Sequence, residues 1–496
     1  MSGQILEYEA VIGLEVHAQL RIKSKMFCSC SAAYQELEPN TDVCPVCMGM
    51  PGVLPVPNRK AVEYVVRTGL ALGCTIADVS KFDRKNYPYP DLMKGYQISQ
   101  FDRPIASNGH LDVETEAGAR TIRVERVHLE EDVSKLMHRS DGTGSYSLLD
   151  INRAGVPLME VVSHPDMRSA DEARDYLTKL RSIFRYIGVS TANMEEGSFR
   201  CDANISIRPV GDEELGPKVE VKNMNSFRGV HGALLYEIER QNKAVRVGER
   251  IVQETRGWAD EKGTTFSQRS KEEANDYRYF SEPDIPPFAI SRTWVEEVGS
   301  SLPELPVARK LRYESDYGLS PYDAGLLTGS RDLADYFEKA LGDGTGSQGE
   351  RAKAAKSVSN WLLGEFTRLL SESDTAVTET KVQPGQILKL QALVDGGTLS
   401  SSMAKTVFID MFETGRPAAE SASALGMEQI SDTSAVQAAV DEAIAANSKA
   451  VADYRAGKDS AVKFLVGQVM RVTRGKANPK LATELVRKRL DSGPDA

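Results

Sequence analysis

The 496-residue sequence has no long run of apolar residues, because every such run is interrupted within a few positions. All runs fall well short of the ~20 residues that cross a bilayer. Its first residues lack the basic and apolar regions of a secretory signal and the arginine-rich pattern of a transit peptide. Hydrophobic residues make up 41% of the chain and charged residues 27%, which excludes collagen-like and wholly disordered proteins. We therefore expect a cytoplasmic globular protein without a membrane segment.

Several common catalytic motifs are also missing. The sequence contains no GxxxxGK[ST], which excludes a P-loop nucleotide site, and no GxSxG, so it lacks a hydrolase signature. Residues 344–349 match GxGxxG, but they follow a helical pattern rather than a strand and are expected to form a loop. No repeat of fixed period occurs, which argues against solenoids and propellers.

Cysteine is scarce, and four of the six cysteines lie within twenty residues. They form two close pairs separated by thirteen residues: Cys28 and Cys30, then Cys44 and Cys47. Two such pairs can supply four thiolates to a tetrahedral zinc ion, and four sulfur ligands leave no open position for water. The spacing therefore predicts a structural zinc knuckle over 28–47. The alternative is that these are incidental or buried thiols.

The hydrophobic pattern divides the chain into a strand-rich part and a helical part. Apolar and polar residues alternate from Glu7 to Ile22 and again over 202–208 and 219–222, as in half-buried strands. Ser169 and Glu172 form a capping box ahead of apolar residues at helical spacing. Strands mixed with helices, with few βαβ units, predict an α+β fold with a strand-rich domain over 1–294.

Helical patterns dominate the rest of the chain. Segments 331–341, 352–371 and 386–413 predict helices of a middle domain over 295–408. A small helical tail domain is expected over 409–496, with helices from Ser460 to Arg474 and after the Asn478 cap. The net charge of the chain is −10, yet the stretch 451–490 holds ten Lys and Arg against three Asp and Glu. The stretch 451–490 is thus a basic segment on an acidic protein.

Acidic residues recur on the polar faces of the predicted strands, with two histidines among them. The set is Glu15 and His17, then His128 and Glu130 followed by Glu131 and Asp132, and finally Asp202 and Glu220. Converging carboxylates repel one another unless a cation lies between them, and oxygen-rich sites suit Mg²⁺, Ca²⁺ or Mn²⁺. The alternative is that these side chains cover solvated outer faces of antiparallel strands.

The segment 81–92 is dense in cations, aromatic residues and prolines. Its prolines disfavour a helix and a central strand. One interpretation is a rigid loop that presents Arg84 and Lys85 to phosphate. The other is a surface loop with aromatic packing.

Ten segments of the sequence resemble the B-type subunits of bacterial tRNA-dependent amidotransferases. The clearest are IGLEVHAQL at 12–20 and CPVCMGMPG at 44–52; the others are 82–87, 129–132, 150–158, 200–204, 219–223, 276–280, 467–470 and 475–479. The resemblance covers almost the whole chain and is weakest in 405–450. No insertion resembles an aspartyl-tRNA synthetase, which favours the bacterial B type over the archaeal E type.

This resemblance implies a function. The family converts misacylated Glu-tRNA(Gln), and often Asp-tRNA(Asn), to the amidated forms. Its B-type member binds the tRNA and uses ATP to phosphorylate the side-chain carboxylate. A glutaminase A subunit supplies ammonia through a tunnel, and a small C subunit holds the other two together. A non-catalytic, zinc-containing tRNA-binding scaffold subunit is the alternative.

The resemblance also implies roles for particular residues. The metal set for Mg²⁺, or Mn²⁺, is Glu15, His17, Glu130, Asp202 and Glu220, with Glu131 as the alternative to Glu130. Candidates for ATP phosphates or the acceptor end of tRNA are Arg84, Lys85, Asn152, Arg153 and Lys222. The zinc ligands are Cys28, Cys30, Cys44 and Cys47. Basic tail residues expected to contact tRNA phosphates are Arg471, Arg474, Lys476, Lys480, Arg487, Lys488 and Arg489, although an ordinary solvated basic face is the alternative.

Overall fold

The computed structural model describes residues 7–142, 144–270, 277–342, 347–427, 433–473 and 477–492. The chain forms two compact units, Met1–Leu305 and Pro306–Ala496. The boundary expected after residue 294 falls inside the helix Arg292–Ser300, which belongs to the first unit. No helix in the described part of the chain is long and apolar enough to cross a bilayer.

Sixteen strands occur in the described residues. They are β1 (Tyr8–Gln19), β2 (Thr75–Ile76), β3 (Val79–Ser80), β4 (Asp83–Asn86), β5 (Tyr96–Ser99), β6 (Ala106–Thr115), β7 (Gly118–Glu131), β8 (Lys135–Asp141), β9 (Gly144–Asp150), β10 (Pro157–Ser163), β11 (Phe199–Pro209), β12 (Val219–Lys222), β13 (Glu254–Ala259), β14 (Thr264–Ser270), β15 (Phe280–Ser281) and β16 (Phe288–Ala289).

Four α-helices of the described chain belong to the first unit: α1 (Arg59–Ala71), α2 (Ala170–Tyr186), α3 (Phe227–Arg246) and α4 (Arg292–Ser300). Those of the second unit are α5 (Pro306–Tyr317), α6 (Pro321–Leu327), α7 (Arg331–Leu341), α8 (Gln348–Trp361), α9 (Thr367–Ser373), α10 (Gln386–Asp395), α11 (Ser401–Thr414), α12 (Ala418–Ala424), α13 (Thr433–Ala446), α14 (Ser448–Arg455), α15 (Ser460–Val472) and α16 (Pro479–Asp491).

A nine-stranded sheet forms the centre of the first unit, in the order β14-β13-β12-β11-β1-β10-β7-β6-β2. Strand β1 lies in its middle and pairs antiparallel with β10 and β11. The apolar residues of β1, such as Leu14 and Val16, are buried in one core together with Tyr176 and Phe184 of α2. Because side chains alternate along a strand, this packing sends the intervening polar residues to the opposite face of the sheet. The α+β prediction is confirmed.

Local sequence explains where helix α2 begins. The Ser169 side chain accepts a hydrogen bond from the backbone N–H of Glu172, as predicted, and this contact satisfies one of the free donors of the first turn. The predicted capping box is only half formed, because the Glu172 carboxylate accepts from the backbone N–H of Arg168 and from the Arg120 side chain and not from the backbone N–H of Ser169. The helix start was thus predicted correctly.

The helices of the second unit enclose two separate apolar clusters, one spanning Tyr313 to Ala422 and the other Val436 to Leu490. Met411 of α11 is buried in the first of these, so the boundary expected after residue 408 would cut a helix that belongs to it. The helix predicted over 386–413 is divided at Gly396 and Gly397, where the positive φ of Gly397 is incompatible with a continuous helix. The three-domain division stays a prediction.

Candidate active site

Strand register brings the predicted acidic residues to one face of the sheet. Pairing of β1 with β11 sets Glu15 opposite Asp202, and pairing of β1 with β10 sets His17 opposite Glu160. Strand β7 adds His128 to this face of the sheet, because His128 lies opposite Glu160. Strand β12 adds Glu220, which lies opposite Asn204 of β11. Residues from five adjacent strands therefore meet on the face that the apolar core leaves open.

This face forms the floor of a cavity of about 750 Å³. Seven residues predicted for the site line it: Glu15, His17, Lys85, Glu130, Asp202, Glu220 and Lys222. The neighbouring Glu131 is not among the lining residues. Its carboxylate forms an ion pair with Lys94 and accepts a hydrogen bond from the backbone of Ile98. The placement therefore favours Glu130 over Glu131.

The tightest group in the cavity consists of one histidine and two buried carboxylates. His17 Nε2 lies 3.3 Å from Glu130 Oε1 and 3.6 Å from Glu160 Oε2. One ligand atom from each of these three residues lies within 4.8 Å of the others, close enough to hold one metal ion. His128 Nε2 contacts the same Glu160 carboxylate at 3.1 Å.

Sequence reasoning missed Glu160. This residue is the only charged one in the mostly apolar strand β10, PLMEVVS. A single acid in a run whose residues are all buried is a signal, because an ionised carboxylate inside a core needs a partner. Neither His17 nor His128 is close to it in sequence, so only the strand pairing reveals those partners.

A second cluster of carboxylates lines the same cavity as His17, Glu130 and Glu160. Lys222 Nζ is 2.7 Å from Asp202 and 3.3 Å from Glu220, and Asn204 donates a hydrogen bond of 2.8 Å to Glu15. The Glu220 carboxylate also accepts a hydrogen bond from Thr255 at 2.9 Å. Two carboxylates thus contact the ammonium group of Lys222.

The charges of the cavity shift the ionisation of its members. Burial and the carboxylates of Glu160, Asp202 and Glu220 raise the pKa of Glu15. Burial lowers the pKa of His17, but the carboxylates of Glu160 and Glu130 outweigh it and raise that pKa to about 9. Burial likewise opposes ionisation of Glu160, yet His17 and His128 hold its pKa well below the usual range. Such mutual repulsion and attraction are typical of a site built for a cation.

Lys85 enters the cavity among aromatic rings. Its Nζ lies 4.8 Å from the centre of the Tyr277 ring and 5.9 Å from that of Tyr87. Burial lowers the pKa of Lys85, but Tyr279, Glu130 and Glu160 raise it overall, so the side chain is a cation. A buried ammonium beside carboxylates and rings can bind an anionic group.

Three other predicted phosphate-binding residues lie outside the cavity lining, and this placement does not support that role. Arg84 forms a two-pronged ion pair with Glu282, at 2.6 and 2.8 Å. Asn152 is fully buried and bonds the backbone of Glu38 and Asp42. Arg153 donates to the backbone carbonyls of residues 133 and 134. Their polar groups are already used within the protein.

The four clustered cysteines converge as the spacing predicted. Their sulfur atoms lie within 4.8 Å of one another, so they could hold one metal ion. Lys25 is fully buried and places its Nζ 3.7 Å from the Cys47 sulfur. A hydrogen bond from the Cys28 thiol is the main cause that lowers the pKa of Cys47 to about 5, with Lys25 contributing. A thiolate at this position favours metal binding.

Five of the seven basic tail residues lie on the last two helices of the described chain. Arg471, Lys480, Arg487 and Lys488 are exposed and Arg489 is half-buried. Arg487 pairs with Asp459 at 3.2 Å and Arg489 with Asp441 at 3.0 Å, both at the surface, where such pairs are weak. Arg474 and Lys476 lie outside the described residues.

Comparison with known proteins assigns the chain to a protein family. The family model described as the GatB/GatE catalytic domain matches residues 10–296, the part that contains the cavity and the cysteine cluster. A second model, described as the GatB domain, matches residues 335–490. Together the two matches cover most of the chain.

The relatives narrow this class to the B type. The chain is 56% identical to the B-type subunit of the aspartyl/glutamyl-tRNA(Asn/Gln) amidotransferase of Dehalococcoides mccartyi strain CBDB1, across 98% of this chain and 100% of that protein. It is 51% identical to the protein of the same description in Carboxydothermus hydrogenoformans, across 98% and 99%, and 52% identical to that of Moorella thermoacetica, across 98% and 100%. The chain belongs to the GatB/GatE family, and the predicted resemblance is confirmed.

Proposed function

We propose that this chain is the B-type subunit of a glutamine-hydrolysing aminoacyl-tRNA amidotransferase in the cytoplasm. In this proposal it uses ATP to phosphorylate the side-chain carboxylate of Glu-tRNA(Gln), Asp-tRNA(Asn) or both. The observation that best supports this proposal is the cavity itself. In it, His17, Glu130 and Glu160 are close enough to hold one cation, and Lys85 and Lys222 line the same cavity. The full-length similarity to proteins described as parts of aspartyl/glutamyl-tRNA(Asn/Gln) amidotransferases supports it.

The chemistry of the reaction explains why such a cavity is needed. A carboxylate resists attack by ammonia because it is an anion and oxide is not a viable leaving group. Transfer of the γ-phosphoryl group of ATP to a carboxylate oxygen gives an acyl phosphate and ADP. Ammonia then attacks the carbonyl carbon, inorganic phosphate leaves with the bridging oxygen, and an amide remains. Phosphoryl transfer depends chiefly on positioning and on neutralisation of charge.

The donor set fits a hard divalent cation. Glu15, Glu130, Glu160, Asp202 and Glu220 supply carboxylate oxygens, and His17 supplies one nitrogen, which suits Mg²⁺ or Mn²⁺. When bound, such an ion neutralises phosphate charge during transfer. In this proposal these six residues hold the metal, with His128 fixing the orientation of Glu160 through their 3.1 Å contact.

Two lysines are the phosphate-binding residues in this proposal. Lys85 and Lys222 line the cavity, and carboxylates keep the pKa of each raised despite burial. Their ammonium groups can offset the charge of ATP phosphates that approach the acidic floor. Arg84, Asn152 and Arg153 receive structural roles instead, because their hydrogen bonds are made within the protein.

The remaining parts of the proposal concern partners. Ammonia would come from a glutaminase A subunit, with a small C subunit completing a heterotrimer. The cysteine cluster would hold a structural zinc ion, since four sulfur ligands leave no position for a reacting water. The exposed basic residues of α15 and α16 would contact tRNA phosphates.

The experiment uses the chain assembled with A and C subunits, and measures ATP cleavage with and without misacylated tRNA. We expect cleavage only with the charged tRNA, and a loss of about 100-fold or more in Glu15→Gln and Asp202→Asn. The matched control is Glu114→Gln, an exposed acid on strand β6 outside the cavity lining. Full activity in the two cavity variants would instead favour the scaffold function.

A further inference from the structure

Arg200 is a cation of the cavity that the proposed mechanism has not yet used. It lies on strand β11 directly opposite His17 of β1, and its side chain lines the cavity. Its Nη2 donates a hydrogen bond of 2.6 Å to Asp132 Oδ2. The guanidinium therefore stands at the edge of the group formed by His17, Glu130 and Glu160.

Asp132 is buried and held from several sides. The carboxylate accepts a hydrogen bond from Gln19 at 2.8 Å and from the backbone N–H of Val133 at 2.9 Å, and Arg153 lies 3.6 Å away. An acceptor fixed in this way restricts the orientation of the Arg200 side chain.

The contact with Asp132 leaves part of the guanidinium unused. Arg200 Nε is inaccessible to solvent and has no hydrogen-bond partner among the described residues. A buried donor without an acceptor is unfavourable, and native proteins keep such groups chiefly where something else binds. A guanidinium is planar, always charged and suited to paired contacts with carboxylate or phosphate oxygens.

We propose that Arg200 binds an anionic oxygen of the substrate in this cavity and that Asp132 is its positioning residue. This inference rests on the proposed function, because that function brings two anions here, the phosphates of ATP and the side-chain carboxylate of the aminoacyl-tRNA. Both anions present oxygen atoms that a guanidinium can bind in the same way. The KM values for ATP and for the aminoacyl-tRNA show which of the two anions Arg200 binds.

The test compares Arg200→Lys with the wild-type chain in the assembled complex. Lysine keeps the charge and removes the planar donor pair. We expect KM to rise tenfold or more for one substrate, ATP or Glu-tRNA(Gln), while KM for the other stays within twofold. Binding of a non-hydrolysable ATP analogue, measured by calorimetry, should weaken by the same factor if the phosphates are the anion, and stay unchanged if the carboxylate is.

The matched control is the pair Arg123 and Asp166, which has the same chemistry but is not among the cavity-lining residues. Arg123→Lys and Asp166→Asn should leave both KM values within twofold of wild type. Asp132→Asn should raise the same KM as Arg200→Lys, and the double variant should show less than the product of the two effects, because the residues act as a unit.

Two results would overturn the inference. One is Arg200→Lys with both KM values and analogue affinity unchanged; the other is Asp132→Asn raising a KM that Arg200→Lys does not. Because Asp132 is buried, the Asp132→Asn result counts only if this variant keeps the melting temperature of the wild-type chain. If the melting temperature falls, Arg200→Lys decides alone. A wild-type complex that cleaves no ATP with charged tRNA would refute the proposed function, whereas normal wild-type cleavage with an unaffected Arg200→Lys refutes only this inference.

Discussion

The Nε2 atom of His128 lies 3.1 Å from the Oε2 atom of Glu160, and both side chains are almost fully buried. The same carboxylate oxygen faces His17 at 3.6 Å, so Glu160 stands between two imidazoles from the two strands that flank its own. This relationship makes Glu160 a carboxylate that two histidines of the cavity share. The arrangement leads directly to a prediction about that residue.

Replacing Glu160 by Gln should remove an anionic ligand and leave two histidines without their shared partner. We expect kcat/KM of the assembled complex to fall about 100-fold or more, since the variant loses one metal ligand and the orientation of its neighbours. A stronger dependence on added Mg²⁺, measured by titration of ATP cleavage, should accompany the loss. Unchanged activity and unchanged Mg²⁺ dependence would remove Glu160 from the metal set.

Metal content tests the cysteine cluster. Cys47→Ser should abolish binding of one zinc ion per chain and lower the melting temperature, because structural zinc contributes directly to folding free energy. Cys74→Ser is the matched control, since Cys74 is also a buried free thiol but lies outside the cluster. Elemental analysis of purified protein gives the readout. Equal zinc in both variants would contradict the knuckle.

Acid stability should depend on Glu237, a fully buried residue of α3. Burial raises the pKa of Glu237, but hydrogen bonds from Arg240, Thr265 and Gln241 lower it overall. A lowered folded-state pKa gives stability that is fully present above the unfolded value of 4.5 and is lost as the pH falls below it. We therefore predict that this contribution disappears progressively below about pH 4.5.

Glu237→Gln tests this assignment through urea unfolding at several pH values. At pH 7 the variant should lose about 3 kcal/mol of unfolding free energy, because it breaks a buried ion pair with Arg240. The difference from wild type should shrink as the pH falls below 4.5, because the unfolded wild-type chain takes up a proton there before the folded Glu237 does. A difference that stays constant down to about pH 3.5 would contradict the role of the charge.

The basic tail should affect tRNA binding and not the cavity. Lys480→Glu and Lys488→Glu should raise KM for charged tRNA several-fold and weaken its salt dependence, because each removes a phosphate contact. The ATP affinity should stay the same. Lys353→Glu, an exposed position on α8, is the charge-matched control. Equal effects from all three changes would indicate nonspecific electrostatics.

The candidate site could be predicted from the sequence only where side-chain alternation carries the information. Glu15 and His17 share a face of β1 by spacing alone, and the register with β11 adds Asp202. Glu160 could not be placed, because its partners come from strands separated by long stretches of sequence. Arg84 shows the limit of residue type as a signal, since an arginine in a basic loop can bind a protein carboxylate, here that of Glu282, as readily as phosphate.

Domain boundaries were less predictable than helix ends, because they too depend on contacts between distant parts of the sequence. Local signals located helix ends well, as with the Asn478 cap and Pro479 at the start of α16. Domain limits depend instead on which core a helix joins, and Met411 shows that α11 belongs to the larger cluster of the second unit. Periodicity shows that a helix has an apolar face but not which partner covers it.

Oxygen-18 labelling tests most directly whether the side-chain carboxylate of the aminoacyl-tRNA is phosphorylated. Glu-tRNA(Gln) carrying oxygen-18 in the side-chain carboxylate is converted by the assembled complex with unlabelled ATP and glutamine, and the released phosphate is analysed by mass spectrometry. Phosphorylation of the carboxylate predicts that each phosphate carries one labelled oxygen, because the bridging oxygen leaves with it. Formation of Gln-tRNA(Gln) together with unlabelled phosphate would contradict the account.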